Sequence, residues 1–321
     1  MNGYYVPVGV ESIEPDLFPD VALYLRSGSN YVLYKSHGRN FSKQDAVRLT
    51  GNSIEFLYVS PSDMEVITRY LEENAERLLQ DDRFDGRTKG KIIYQTSINF
   101  VGDIFQNPKK VGDFDRSKKL MENLLLYLSS DNDALSSLET VMTHNYHTFV
   151  HSLQVTALSV LVHAEAYNLA HDELVDVGIG TLLHDFGKTF TPQNILNKTG
   201  KLTEDEIAII KRHPAEGYAF LKENTRLNEI SLAIIRDHHE RVNGNGYPRG
   251  LKRAEISRSA QVGGICDIYC TLTIDRNGRA ALPPYLTIQV MRQEMKDAFD
   301  ERLLGILEGI TCTEEAQQLV L

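Results

Sequence analysis

From about residue 135 onward the chain is written almost throughout in the 3.6-residue rhythm of amphipathic helices, and no other feature restricts its possible folds as strongly. Stretches covering about 145–168, 173–184, 203–212, 215–223, 227–238, 256–273 and 284–308 carry apolar residues at helical spacing, and strand signals between them are scarce. Thr203-x-x-Glu206 ahead of Ile207-Ala-Ile-Ile210 is a capping box that opens one of these stretches. Successive one-sided helices hide their apolar faces only against one another, so this half is expected to be a helical bundle.

The first eighty residues read differently. Val21–Leu25, Tyr31–Tyr34 and Ile54–Val59 are β-branched and aromatic runs bounded by Gly, Ser and Asn, which predicts strands, and Tyr24, Tyr31, Tyr34 and Tyr58 are expected to fill a strand-built core. Ser42-x-x-Asp45 and Ser60-Pro61 open helical stretches, the second running to about Gln80. The fold class is therefore mainly α, with a small α+β domain at the front. The charged, glycine-containing stretch Asp81–Gly90 suits an exposed connection. We divide the chain into a regulatory or partner-docking α+β domain (1–85), a helical linker (86–130) and the bundle (131–321).

Composition excludes several classes. With 42% hydrophobic and 24% charged residues and no low-complexity tract, 321 residues are enough to bury a core, and disorder is excluded. A formal net charge of −10 repels long polyanions and leaves no basis for binding long nucleic acid. No run of eighteen apolar residues occurs and Met1–Pro7 lacks a signal-peptide pattern, so no membrane insertion and a cytoplasmic location are expected. The three cysteines, Cys266, Cys270 and Cys312, form no CxxC pair and are expected to be reduced.

Of ten histidines, only His37 lies ahead of residue 144; the others fall between His144 and His239. His184-Asp185 ends the apolar run Ile179–Leu183. A carboxylate can join two ions while the adjacent imidazole commits to one, which suits a bridged metal pair, although a His-Asp dipeptide equally describes a capped helix end. His238-His239-Glu240 closes another helical stretch and leads into Gly244-Asn245-Gly246-Tyr247-Pro248, a turn that by itself indicates a loop.

The order of these motifs carries a resemblance. His184-Asp185-Phe186-Gly187-Lys188, Asn194–Lys198, His213-Pro214-x-x-Gly217, His238-His239-Glu240 and Gly246-Tyr247-Pro248-x-Gly250-Leu251 together resemble the signature of the HD-GYP branch of the HD superfamily, across about 140–290. The resemblance implies a metal-dependent phosphodiesterase of bacterial second-messenger signalling. One metal would be held by His151, His184, Asp185 and Asp267, and a second by Asp185 as bridge with His213, His238 and His239. His147 stands where some relatives hold a third metal; here it is a third-metal ligand or a hydrogen-bonded neighbour of the ligands. Asp185 and Lys188 are the expected catalytic pair, and Lys188, Tyr247, Arg276 and Arg279 the expected substrate contacts. His144, His163 and His171 are expected to be exposed or structural. Two or three divalent ions, iron or manganese foremost, are the implied cofactors.

Three positions depart from the family pattern. Cys270 stands in place of an aspartate, and Asn277-Gly278 in place of Pro-Tyr between Arg276 and Arg279. The reading implied first is hydrolysis of cyclic di-GMP to linear pGpG, or onward to GMP, with the mixed cyclic GMP-AMP as a close variant. A catalytically weak cyclic di-GMP sensor acting through a protein partner is the alternative, and a general HD nucleotidase, which the Gly-Tyr-Pro turn disfavours, is a third. The implied partners are the cyclic dinucleotide, a second copy of the chain and a regulatory protein docking on the N-terminal domain.

Overall fold

The computed structural model describes residues 5–15, 17–28, 30–82, 84–130, 133–142, 148–275 and 280–312. The chain divides into two compact units, one of Met1–Phe100 with Glu122–Tyr146, the other of Val101–Met121 with His147–Leu321.

The first unit holds strands β1 (Val6–Gly9), β2 (Leu23–Ser27), β3 (Asn30–Lys35) and β4 (Phe56–Val59) in one antiparallel sheet of order β1-β4-β2-β3. Helices α1 (Lys43–Gly51) and α2 (Met64–Leu79) supply Leu49, Ile67, Tyr70 and Leu71 to a core completed by Leu23, Leu57 and Val59 of the sheet. Alternation along β4 explains the arrangement: Leu57 and Val59 face this core, so Phe56 and Tyr58 face away. Tyr24, Tyr31 and Tyr58 are consequently half-buried rather than core residues. They gather with Tyr5 on the other face, Tyr5 stacking on Tyr31 at 4.1 Å and Tyr31 meeting Tyr58 edge-on at 5.1 Å. Tyr34 packs at the core's margin and donates its hydroxyl to Asp45 at 2.9 Å.

Asp45 is the electrostatic knot of this unit. It completes the Ser42 capping box at the start of α1, accepting from the Ser42 amide (2.9 Å) and hydroxyl (2.7 Å), and pairs with Arg39. Burial opposes ionisation, but the Ser42 hydroxyl and amide, Tyr34 and Arg39 together bring its pKa down to about 2. A folded-state pKa below the unfolded value gives stability that is fully present above about pH 4 and lost as pH falls towards 2. Asp45→Ala should therefore lower the denaturation free energy of this unit by about 2 kcal/mol at pH 6. In urea titrations followed by circular dichroism, the gap between variant and parent should narrow at pH 2.5; a gap independent of pH would refute this account.

Helices α3 (Gly86–Gln106) and α4 (Phe114–Ser130) contribute residues to both units, and α5 (Ala134–Met142) belongs to the first. The second unit is helical: α6 (Thr148–Ala166), α7 (His171–Leu182), α8 (Gln193–Leu196), α9 (Glu204–Ile210), α10 (His213–Asn224), α11 (Glu229–Asp237), α12 (Arg258–Leu272), α13 (Pro284–Gln293) and α14 (Glu301–Thr311). α6 is its centre. Leu153, Val155, Ala157, Leu158, Val160 and Val162 are buried around its whole circumference, as expected of a helix enclosed by α7, α12 and α14. The single helix expected over 284–308 is two, because Asp297 takes a positive φ of 61° and Asp300 caps a new start by accepting from the amides of Arg302 and Leu303. Among the described residues no helix is long and apolar enough to cross a membrane.

Candidate metal centre

Five places in the second unit converge on one point. α6 brings His151 and α12 brings Asp267. α7 stops at Leu182, so His184 and Asp185 sit in the turn that follows rather than at the end of a helix reaching 184. Phe186 explains the turn: fully buried, it packs against Phe190 and Phe220 at 5.7 and 5.4 Å and draws the chain into a 3-10 turn over Phe186–Phe190. His213 is the first residue of α10, and His238 and His239 follow the last residue of α11.

Backbone carbonyls aim three of the imidazoles. His184 Nδ1 donates to Thr181 O (2.7 Å), His213 Nδ1 to Ile210 O (2.8 Å), and His238 Nδ1 to the carbonyls of Ile234 and Ile235 (3.1 Å each). A carbonyl only accepts, so in each ring the proton is fixed on Nδ1, and a neutral ring so anchored turns a bare Nε2 to the centre. Those Nε2 atoms meet other acceptors: His213 Nε2 lies 3.2 Å from Asp185 Oδ1 and 3.4 Å from His238 Nε2, while His184 Nε2 lies 3.5 Å from Asp185 Oδ2. His184 Nε2 is buried and has no hydrogen-bond partner among the described residues. Lone pairs facing lone pairs in a buried site are costly until something cationic lies between them, and imidazole with carboxylate is a donor set for divalent ions.

The potential ligand atoms form two groups. His151, His184 and Asp185 make one; Asp185, His213, His238 and His239 make the other, and within each group the atoms lie within 4.8 Å of one another. Asp185 is common to both. Asp267 adjoins the cluster, 3.0 Å from His151 Nε2, 3.9 Å from His184 Nε2 and 3.8 Å from His239 Nδ1. Burial pushes the imidazoles of His184 and His238 down and that of His239 to about 3, so these rings are neutral at pH 7. Burial opposes the charge on Asp185 and Asp267, yet Lys188 and His184 beside the first, and His151 and His239 beside the second, hold both well below the usual carboxylate range. Neutral imidazoles and ionised carboxylates need shed no proton to take up a metal ion.

Lys188 donates to Asp185 Oδ2 while its side chain is 21% exposed, at the edge of the cluster. Tyr247 stacks on His239 with ring centroids 4.6 Å apart, and Lys211 Nζ lies 5.4 Å from the same tyrosine's centroid. His163 is buried, with Nδ1 donating to Ser159 O at 2.6 Å, and His171 is exposed at the start of α7. Arg276, Arg279, His147 and His144 lie outside the described residues. Sequence reasoning gave no role to Asp237, Glu240 or Arg249, whose side chains fasten the loop carrying Tyr247. The signal was an acid directly before and directly after the His238-His239 pair.

The HD domain family model matches residues 131–303. A cyclic di-GMP phosphodiesterase of Pseudomonas aeruginosa is 35% identical over 164 residues, covering 51% of this chain and 39% of that protein. The cyclic di-GMP phosphodiesterase response regulator RpfG of Xanthomonas campestris is 33% identical over 145 residues (45% and 38%), and a 3'3'-cGAMP-specific phosphodiesterase of Vibrio cholerae 32% over 148 residues (46% and 34%). The chain thus spans less than half the length of these relatives. Among solved structures, Bd1817, described as an HDG"Y"P protein from Bdellovibrio bacteriovorus, shares the fold with a TM-score of 0.69 at 20% identity, over 97% of this chain and 100% of that one. The family model thus covers more than half of the chain, through the stretch in which one aspartate is common to two histidine groups: this chain belongs to the HD domain family.

Proposed function

We propose that this protein hydrolyses a phosphodiester bond of a cyclic dinucleotide, cyclic di-GMP first and the mixed cyclic GMP-AMP second, with iron or manganese at the histidine centre. The observation that carries the reading is Asp185, whose two carboxylate oxygens serve two histidine groups. His151, His184, Asp185 and Asp267 would hold one ion, and Asp185, His213, His238 and His239 the other; His147 would ligate a third or adjoin the ligands. When bound, a pair of divalent ions lowers the pKa of water to the neutral range and neutralises charge that builds on the phosphate in the transition state. The donor set, imidazole and carboxylate without thiolate, suits iron and manganese.

The chain's own residues do the rest. The Lys188 ammonium, beside Asp185 and partly open to solvent, can turn from the carboxylate to a phosphate or leaving oxygen and donate a hydrogen bond there. Burial raises the pKa of the Tyr247 phenol, so it keeps its proton and is available as a donor at the edge of the site. Asp267 Oδ1 lies 3.0 Å from His151 Nε2, close enough for both to reach one ion. Arg276 and Arg279 would clamp the second phosphate. The first 85 residues serve as a regulatory or partner-docking domain, 86–130 as a helical linker and 131–321 as the phosphodiesterase, in a cytoplasmic protein acting alone or as a homodimer.

The test is turnover of cyclic di-GMP and cyclic GMP-AMP by protein purified without oxygen, with metal content measured on the same sample. Linear pGpG, or GMP, should appear at a rate that tracks iron or manganese, and a chelator should abolish it. Tight binding without product at full metal content would instead make this a cyclic-dinucleotide sensor acting through a partner.

A further inference from the structure

The four consecutive residues Asp237–Glu240 divide their labour. The inner two, His238 and His239, face the histidine centre; the outer two, both acidic and buried at 2% and 5% exposure, face the loop that follows. Glu240 accepts from the backbone amides of Arg249 (2.6 Å) and Leu251 (2.8 Å), one on each carboxylate oxygen. Asp237 receives the Arg249 guanidinium as a two-pronged fork, Nε on Oδ1 at 3.2 Å and Nη2 on Oδ2 at 2.6 Å, with Arg236 closing its other side. Between these anchors the loop lies flat on the backbone of the same segment. The Tyr247 amide donates to His239 O at 3.2 Å, and a Cβ on Gly246 would stand 2.4 Å from Arg241 N and Glu240 Cα. The Tyr247 ring rests on His239 as a consequence.

We propose that Asp237 and Arg249 are positioning residues for substrate: their fork, acting through the loop, holds Tyr247 where it meets the body of a bound cyclic dinucleotide, and so sets affinity separately from the chemical step. Two features support a positioning role. Arg249 is 41% exposed, so the pair stabilises little of the core, and its partner carboxylate lies in the segment that presents two of the histidines. A bidentate guanidinium–carboxylate pair fixes direction as well as distance, which a lysine cannot reproduce. The inference rests on the cyclic-dinucleotide reading above.

The experiment compares the full chain with Arg249→Ala, Arg249→Lys and Asp237→Asn, each with metal content determined. Steady-state rates are taken on cyclic di-GMP and on bis(p-nitrophenyl) phosphate, a diester too small to need the loop. Calorimetric binding of cyclic di-GMP and amide exchange of the peptide 243–252 complete the set. The expected result is a KM for cyclic di-GMP raised about tenfold, an equally weakened Kd and faster loop exchange. Metal content and the rate on the small diester should be unchanged, and Arg249→Lys should recover little. An unchanged KM and Kd in Arg249→Ala would overturn the proposal, as would loss of metal together with both activities, which would make the pair a mere prop for His238 and His239. If the parent protein binds cyclic di-GMP without turning it over, the hydrolytic reading fails while Kd still decides the role of the loop; if it binds none, the proposal falls with that reading.

Discussion

Asp185→Ala, purified beside the parent protein, is expected to retain its helical content, carry almost no metal and turn over cyclic di-GMP at least about 10³-fold more slowly. The expectation follows from the position of its two oxygens. Oδ1 lies 3.2 Å from His213 Nε2 and Oδ2 3.5 Å from His184 Nε2, so one truncation strips a carboxylate from both groups at once. The His213, His238 and His239 group is then left without a carboxylate and the other group with Asp267 alone, so the negative charge that offsets two dications placed close together is halved. The fold should survive because the lost carboxylate's chief cation, Lys188, is partly exposed and can reach water.

Stoichiometry sharpens the test. His151→Ala removes a ligand from one group only and should leave roughly one ion per chain, whereas Asp185→Ala should leave roughly none. Asp185→Asn keeps the shape and one oxygen donor but loses the charge, and should fall between the two in metal content while remaining as inactive as the alanine variant. Full metal content with full turnover in Asp185→Ala would remove the bridging role and, with it, the main support for a two-metal hydrolase.

How far the sequence disclosed this site depends on how local each signal is. Thr203 and Glu206 form the capping box their spacing announces, and Ser42 and Asp45 do the same, because a cap is settled within four residues. His184 with Asp185 and His238 with His239 were visible as neighbouring pairs, whereas His151 and Asp267 were reached only through the family resemblance. Less visible was where the helices stop. Periodicity carried α7 to His184, but the buried Phe186 ends it at Leu182, and the resulting turn is what lets two adjacent side chains reach one point. β1 gave no strand signal because it holds Pro7 and is defined by pairing with β4, some fifty residues away. Alternation assigns the tyrosines a face only once the core side of the sheet is known, and that side is decided by α1 and α2. The fork between Asp237 and Arg249 likewise depends on a loop folding back over twelve residues, which no local pattern encodes.

Gly187→Ala, one methyl group added two residues from Asp185, should cost the second unit about 3 kcal/mol and lower its melting temperature by about 6–12 °C. A Cβ built on Gly187 would stand 1.9 Å from the carbonyl oxygen of His213, 2.7 Å from its carbonyl carbon and 2.8 Å from Gly217 N. All three are backbone atoms, so no side chain can swing aside, and relief requires α10 to move away from the 3-10 turn. Gly217 faces the same contact from the other side, its own Cβ position lying 3.0 Å from Gly187 N, so the two glycines let the turn bearing Asp185 and the helix bearing His213 approach to touching distance. Displacing α10 carries His213 away from Asp185. The variant should therefore lose the ion of the His213–His238–His239 group before the other, and metal analysis on folded protein should return close to one ion per chain. Gly217→Ala, with its wider 3.0 and 3.2 Å approaches, should show the same order of loss at a smaller cost in melting temperature. A Gly187→Ala protein that melts with the parent and keeps both ions would mean that the turn and α10 are not held together by this contact, and that His213 owes its place to its Nδ1 bond to Ile210 instead.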